Sequence, residues 1–269
     1  MKTMRKFVLA FIVLALALPL WAQDQEKDGP VPDAEAALAR LVNQEREKAG
    51  LPALHLDDRL SAAAREHSQL LAQHHLLSHQ FEGEAPLPKR VAARFVRFNS
   101  DGENVAFDAD IESAHAGLML SPPHRANILN PKYDAFGVGV VRRGKYLWVT
   151  EDFVHRVADL SAEKAGDSIA EALTRARRGG PRLTRVNVPA LNRLACDMAK
   201  QDRLDTRRAL DTPGAQSAVV YTADEPVKLP SDALGMAEDR NIRKFAVGVC
   251  FADSLHYPAG TYWVVLLSY

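Results

Sequence analysis

The sequence predicts a chain of the α+β class, in which helices and antiparallel strands form separate layers. Three observations support this class: amphipathic helices come first, two strand segments joined by a short turn follow them, and the same order returns later in the chain. Helices that precede a run of antiparallel strands pack on the faces of the sheet that those strands form. We therefore expect an antiparallel sheet covered by helices, followed by a second version of it.

The first 22 residues have the pattern of a secretory signal peptide. Arg5 and Lys6 supply positive charge, Phe7–Trp21 is an apolar run, and Ala22 provides a small residue at a cleavage point. The run is short for a membrane span. An uncleaved anchor is the alternative, because Leu20 is unfavourable two positions before the cut. No later stretch is apolar enough to cross a bilayer, so the sequence predicts a secreted or periplasmic protein.

Apolar residues recur every three to four positions in two helices that follow a polar tail. We expect Asp33 to cap the first helix, which ends at Gly50, and Asp57 or Asp58 to cap the second. Leu51–Leu56 is a short extended link between them. The apolar faces consist of Leu38, Leu41 and Val42 in the first helix and of Leu60, Ala63, Ala64, His67 and Leu71 in the second.

A third helix and a strand hairpin complete the first module. Ile111–Leu120 is predicted as helix, and Ser121 is predicted to cap a short helix that has Pro122 in its first turn, where a missing N–H does no harm. Phe136–Val141 and Tyr146–Phe153 are predicted strands, joined by a four-residue turn that contains a glycine.

The second half of the chain repeats this order in a shortened form. The similar segments are Leu60–Ala64 and Leu191–Ala195, Phe136–Val140 and Phe245–Val249, and the later strands that carry Trp148 and Trp263. We interpret residues 33–156 as one module and residues 157–269 as a degenerate repeat, whose first helix is a linker helix near Ser161–Arg178. Coincidence is the alternative, since Leu/Ala helices and Gly-Val strands are common.

Charge and cysteine content restrict the function. The chain has 34 basic and 34 acidic residues, so it lacks the basic excess that broad capture of nucleic acid requires. Its two cysteines, Cys196 and Cys250, can pair outside the cytoplasm. Their spacing leaves open whether they form a disulfide or remain two buried thiols.

An ordered set of short motifs in the first module resembles one known family. The set consists of Asn43, His67-Ser68, Ser78-His79, Arg90, Gly102-Glu103-Asn104-Val105-Ala106, the run Ser121–Leu129 and Gly137-Val138-Gly139-Val140. Over roughly Asp33–Val154 it is similar to the CAP superfamily, or SCP domains, of cysteine-rich secretory proteins, antigen 5 and pathogenesis-related 1 proteins, in the bacterial secreted branch. The resemblance implies a three-layer α-β-α sandwich with a cleft that holds a His/Glu tetrad.

The resemblance assigns the polar residues of that cleft. His79 and His124 match the two histidines, and Glu103 matches the carboxylate of the Gly-Glu-Asn element. Animal and plant relatives carry a second Glu three positions after an aromatic helix residue, but this chain has Ser121 three positions after Leu118, as bacterial relatives commonly do. The resemblance therefore implies a triad, for which Glu151 is a candidate replacement carboxylate.

Two chemistries are open to such a triad. Two imidazoles and a carboxylate can bind Zn²⁺ and leave a position for water, which then becomes nucleophilic near neutral pH. Ca²⁺ would find too few oxygens. Without metal, a Glu–His pair can act as a general base. Neither Ser78, predicted as a loop hydroxyl, nor Ser121, predicted as a helix cap, is an evident nucleophile.

Three hypotheses about function follow from the first module. Its cleft binds a lipid, peptide, glycan or metal in the envelope or outside the cell; or it hydrolyses peptide or cell-wall material with His79, Glu103 and His124; or these side chains only cross-link loops through charge-assisted hydrogen bonds. His67 is predicted to be a packed helix residue, and Arg90 either pairs with an acid or shapes the cleft.

The second module has lost the cleft in this interpretation. Its histidine is His256, in the hairpin loop, and the shortening falls where counterparts of His79 and Glu103 belong. We expect it to support the first module or to bind a partner through another surface.

Overall fold

The computed structural model describes residues 27–269, so the predicted signal peptide lies outside the described residues. Within this range the chain forms two sheets, and each sheet carries helices on both of its faces. No helix of this range is long and apolar enough to span a membrane. The α+β class predicted from the sequence is confirmed.

The first sheet is built mainly from three long antiparallel strands. Its strands are β1 (Gly29–Pro30), β2 (His55–Leu56), β3 (Phe98–Asp108), β4 (Ala135–Arg143) and β5 (Tyr146–Arg156). Their order is β1-β4-β5-β3, and β2 pairs in parallel with β4. The β4–β5 hairpin agrees with the sequence pattern. Strand β3 was not predicted, because its polar residues break the apolar alternation that marks a strand.

Five helices cover the two faces of this sheet. They are α1 (Pro32–Lys48), α2 (Asp58–His74), α3 (Leu87–Ala92), α4 (Ile111–Leu120) and α5 (Pro122–Ile128). Even-numbered residues of β4, such as Phe136 and Val138, pack in the core with α1 and α4. The odd-numbered Ala135 packs with Leu60 of α2 on the other face. The alternation of a single strand thus separates the two helical layers.

Helix caps differ in part from the sequence prediction. Asp57 caps α2, where its carboxylate accepts from the backbone N–H of Arg59. Helix α1 instead begins after Val31, so Asp33 lies in its first turn, where a negative charge favours the helix dipole. Ser121 precedes α5 but makes no side-chain cap hydrogen bond, so the prediction of a serine cap was wrong.

The second sheet is arranged like strands β2, β4, β5 and β3 of the first sheet. Its elements are α6 (Ala162–Ala176), β6 (Thr184–Arg185), α7 (Ala190–Lys200), α8 (Thr206–Leu210), β7 (Ser217–Ala223), α9 (Ser231–Glu238), β8 (Lys244–Ala252) and β9 (Thr261–Ser268). The order is β6-β8-β9-β7, and the short β6 runs parallel to β8. Ser161 caps α6 at the start of the predicted linker helix. A disulfide joins Cys196 of α7 to Cys250 of β8.

The two sheets are connected by contacts around Arg97. Its guanidinium lies 3.8 Å from the ring centroid of Phe251, donates a 2.9 Å hydrogen bond to the hydroxyl of Tyr262, and pairs with Asp159 at 2.9 Å. Ala259 packs against the core that lies between α2, α3 and the first sheet. The second half of the chain therefore packs directly beside α3 and the start of β3.

Glycines let α2 approach β4 closely. A Cβ on Gly139 would lie 2.3 Å from the backbone nitrogen of Arg65 and 2.4 Å from the carbonyl carbon of Ala64. Both atoms belong to the backbone of α2, so they cannot rotate away. Larger residues at this position would push the helix off the sheet.

We expect Gly139→Ala to lower the free energy of unfolding by about 3 kcal/mol, because the new methyl group overpacks a helix–sheet contact. Urea denaturation of the purified chain measures this change. Gly117→Ala is the matched control: Gly117 is inside α4 with open space at its Cβ, so alanine should raise stability by about 0.5–1 kcal/mol. Equal effects of the two substitutions would contradict the close approach.

Candidate functional site

The candidate site lies at the outer edge of the first sheet and is centred on Glu103 of β3. The Glu103 side chain is only 4% exposed. His79 approaches with its Nδ1 2.9 Å from Glu103 Oε1, and an Arg90 guanidinium nitrogen donates to Oε2. Both oxygens of a buried carboxylate are therefore bound by side chains that come from the segment between α2 and β3.

A second carboxylate, Glu84, holds this segment in place. The Nδ1 of the fully buried His67 lies 2.7 Å from Glu84 Oε1, and its Nε2 donates to the carbonyl of Ser78 at 2.8 Å. Arg90 also lies 3.3 Å from Glu84, so it bridges two acids. His67 is packed in the helix, as predicted, and it also fixes Ser78, the residue before His79. Of the two roles considered for Arg90, the structure shows pairing with acids, within the site itself.

His124 reaches the site from the other side of the sheet edge. Its carbonyl accepts a 3.1 Å hydrogen bond from Asn104, next to Glu103 on β3. Asn127 of the same short helix donates to Asn104 at 2.9 Å and to the carbonyl of Glu103 at 3.2 Å. The half-buried ring of His124 has no hydrogen-bond partner among residues 27–269. Helix α5 is therefore fixed to β3 while this imidazole stays available.

The electrostatics of the site give the two imidazoles different protonation. The hydrogen bond to Glu103 raises the pKa of His79 above its usual value and outweighs the opposing effect of partial burial. Burial, followed by the nearby charge of His79, lowers the pKa of His124. Burial opposes ionisation of Glu103, but His79 and Arg90 hold its pKa below the usual range. Near neutral pH, His124 is consequently neutral and His79 is the better proton donor.

A third acid lies directly behind Glu103. Asp152 of β5 is the register partner of Glu103, so the two side chains share one face of the sheet. Asp152 is fully buried, and neither of its oxygens has a hydrogen-bond partner in the described range. Burial and then the charge of Glu103 raise its pKa well above the usual value. Burial and the neighbouring Glu103 therefore favour the protonated, neutral form of Asp152.

Glu151 is not the replacement carboxylate that the sequence suggested. It pairs with Asn104, whose amide donates to Glu151 Oε2 at 2.9 Å, and it therefore lies on the face opposite Glu103. Burial raises its pKa to about 7. The carboxyl beside Glu103 is Asp152 instead. The resemblance placed both Glu151 and Asp152 on a strand near the cleft, but the role of replacement carboxylate was considered for Glu151 and not for Asp152. Glu84 was missed, because nothing in the loop distinguished it.

The residues present do not fit a zinc site. No group of three or more His, Cys, Asp or Glu side chains between residues 27 and 269 is arranged to hold a metal ion. Each of the two Glu103 oxygens already accepts a hydrogen bond, one from the His79 imidazole and one from the Arg90 guanidinium. A positive guanidinium at the carboxylate competes with a metal cation. In this structure Glu103 is thus hydrogen-bonded to His79 and Arg90, and the ring of His124 is not part of that network.

We expect Glu103→Gln to lower the pKa of His79, because His79 loses its carboxylate partner. The same change should raise the pKa of His124, because a neutral His79 no longer places a positive charge beside it. NMR titration of the imidazole resonances measures both. A raised histidine pKa stabilises the fold below the unfolded value of about 6.5 and ceases to do so as pH rises through the folded value, so the parent should lose this advantage over the variant as pH rises above about 6.5. His256, which is paired with Asp202, is the internal control. An unchanged His79 titration would contradict the assignment.

We expect the stability of Asp152→Asn relative to the parent to increase as pH rises from 4 to 8, because the raised pKa of Asp152 disfavours the folded parent at high pH. A carboxyl with a raised pKa favours the folded state at low pH, and this benefit disappears as pH rises from the unfolded pKa of about 3.9. The difference should therefore shrink toward pH 4, as measured by urea denaturation at both pH values. Asp253→Asn, at an exposed position, should show no such trend. A pH-independent difference for Asp152→Asn would refute the buried neutral acid.

The first comparisons concern sequence. Residues 39–153 match the family model described as CAP, cysteine-rich secretory protein family. Two similar proteins from Bacillus subtilis (strain 168) are the uncharacterized protein YkwD, 33% identical over 121 residues, and the uncharacterized membrane protein YlbC, 32% identical over 124 residues. The matched regions cover 45% and 46% of this chain, and 46% and 35% of the relatives, so the chain spans less than half the length of either.

Solved structures resemble the chain over different lengths. An extracellular protein with an SCP domain from Bacillus anthracis str. Ames is 28% identical, with a TM-score of 0.43, over 46% of this chain and 41% of that one. Na-ASP-1 aligns over 91% of both chains with a TM-score of 0.51 and 9% identity, which shows a shared fold. Given the matched family model and the Glu103-centred site inside it, residues 39–153 form a CAP domain of the cysteine-rich secretory protein family.

Proposed function

We propose that the chain is exported and that its CAP domain binds a peptide or glycan of the cell envelope at His79 and His124. The predicted signal peptide motivates export. The site itself motivates a ligand with hydroxyl or amide groups, because such groups both donate and accept hydrogen bonds.

His79 and His124 offer complementary hydrogen-bonding groups. The His79 side chain is 60% exposed, and its Nδ1 faces Glu103, so Nε2 remains to donate to a ligand. The lowered pKa of His124 keeps that ring neutral, so one of its nitrogens can accept. A hydroxyl or an amide between the two rings would satisfy both.

The observation that carries the proposal is a comparison of the two sheets, which we interpret as two copies of one module. Phe136 of β4 pairs with Leu56 in the parallel strand, and Phe245 of β8 pairs with Arg185 in the same way. Five positions later, Val141 pairs with Trp148, and Cys250 pairs with Trp263. The register is thus equivalent at both ends of the hairpin, which supports a duplication.

In this register, the polar positions of the first module correspond to apolar positions of the second module. Four positions after each tryptophan, Asp152 pairs with Glu103, and Leu267 pairs with Ala218. One position earlier, the buried pair Asn104–Glu151 corresponds to Val219–Leu266. The same sheet is therefore built without any of these polar groups. Since burying polar groups costs stability, their retention in the first module supports a role in binding.

The comparison also revises how the second module lost its site. The sequence placed the shortening where a counterpart of Glu103 belongs, but β7 keeps that position as Ala218. The second module is shorter in two places: between α7 and β7, where residues 201–216 take the place of the 75–97 link that carries His79, and between α9 and β8, where residues 239–243 leave no room for a counterpart of α5 and its His124. This pattern supports ligand binding by the polar residues of the first module better than a role that is limited to cross-linking loops.

Hydrolysis has less support than binding. The two imidazoles differ in protonation, as an acid–base pair requires. However, the Ser78 hydroxyl donates to the carbonyl of Gln80, and no serine or cysteine side chain in residues 27–269 is hydrogen-bonded to either ring. We therefore propose no covalent step.

We expect His79→Ala and His124→Ala each to weaken binding of soluble muropeptides about tenfold, because each removes one hydrogen bond to the ligand. Isothermal titration calorimetry measures the affinity, and thermal unfolding verifies the fold. His55→Ala, at an exposed position in β2, is the control and should bind as the parent does. Parent-like affinity in both site variants would reject the proposal, as would absence of binding to the parent.

A further inference from the structure

We propose that the groove between the two modules binds an oligosaccharide, so that the second module contributes directly to the ligand site. This inference deepens the proposed function and rests on it in one respect: the same envelope polymer would occupy the His79 site and the groove. The groove itself is defined by its own residues and is tested separately.

The groove is a cavity of about 410 Å³ between the edge strands of the two sheets. The side chains used in the argument are Asn99 and Asp101 of β3, Thr222 of β7, the following Asp224, and His256 and Tyr257 of the loop between β8 and β9. Cavities at the junction of two domains are frequent ligand sites.

The groove continues the Glu103 site along β3. Asp101 and Glu103 are two residues apart on one strand, so their side chains share a face. Pro88, also at the groove, is two residues from Arg90 on α3. Burial and then the charge of Glu103 raise the pKa of Asp101, which is consistent with this proximity. The groove and the Glu103 site therefore lie next to each other along one face of β3.

The loop between β8 and β9, which lines the groove from the side of the second module, is held in a fixed conformation. The Tyr257 hydroxyl lies 2.8 Å from Thr222 Oγ1, and its ring meets the edge of Trp263 at a centroid distance of 6.0 Å. The backbone N–H of His256 and its Nδ1 both contact Asp202 Oδ2, at 3.1 and 2.6 Å. Tyr257 nevertheless remains 38% exposed. A ring fixed at its hydroxyl and its edge presents a preformed apolar surface to a ligand.

The chemistry of the groove matches a neutral sugar chain. The C–H face of a sugar ring packs on an aromatic ring, while its hydroxyls donate to carboxylates and exchange hydrogen bonds with amides and hydroxyls. Tyr257 supplies the ring, and Asp101, Asn99 and Thr222 supply the polar groups. None of the described residues that line this groove is Lys or Arg, whereas Lys89 and Arg97 line the adjoining groove. Acidic polymers are thus disfavoured.

The test uses the full mature chain and chitotetraose, a neutral oligosaccharide with hydroxyl and amide groups, in isothermal titration calorimetry. We expect the parent to bind it with a Kd below about 10 mM and Tyr257→Ala to weaken binding about tenfold. Tyr257→Phe keeps the ring and should retain most of the affinity. Asp253→Ala, in the adjoining groove, is the matched control and should bind as the parent does.

Several outcomes would overturn the inference. The first is that the parent does not bind chitotetraose, and the second is that the parent and a folded Tyr257→Ala bind it equally. The third is that Tyr257→Ala loses affinity for the sugar-free stem peptide and not for chitotetraose, which would assign the groove to peptide. The two proposals fail separately. If His79→Ala binds muropeptides as the parent does while Tyr257→Ala loses chitotetraose, the groove stands and the proposed function falls.

Discussion

The buried carboxylate of Glu103 is the constraint on which the rest of the first module depends. An isolated charge removed from water costs several kcal/mol, so its burial requires partners on both oxygens. Arg90 and His79 provide them, and both come from the loop that joins α2 to β3. The charge that creates the site thus also holds that loop and α3 against the sheet edge.

The same network couples the polar site to the junction of the modules. Arg90 lies on α3, and the second module packs beside α3 through Arg97 and Ala259. In the correspondence proposed above, the second module keeps the sheet and the helical layers but has Ala218 where the first has Glu103. In this interpretation one copy retains the polar chemistry, while the other copy contributes a rigid loop and a groove wall.

Several elements could be predicted because their signals are local. The spacing of apolar residues located α1 and α2, and the Gly-Val alternation located the β4–β5 hairpin. Strand β3 was not predicted, because several of its side chains belong to the polar site and its sequence therefore does not alternate between apolar and polar residues. Ser121 has the residue type and place of a cap, but no cap hydrogen bond forms, so residue type alone did not decide the local geometry.

The sequence by itself determined the α+β class, the family resemblance and the presence of His79, Glu103 and His124 in one module, since these follow from periodicity and ordered motifs. Only the tertiary structure decided which groups meet. Strand register put Asp152 rather than Glu151 beside Glu103, because neighbouring residues of a strand face opposite sides. Folding of the loop after α2 brought Arg90 to the carboxylate. Contacts between residues distant along the chain depend on register and packing, which no local pattern encodes.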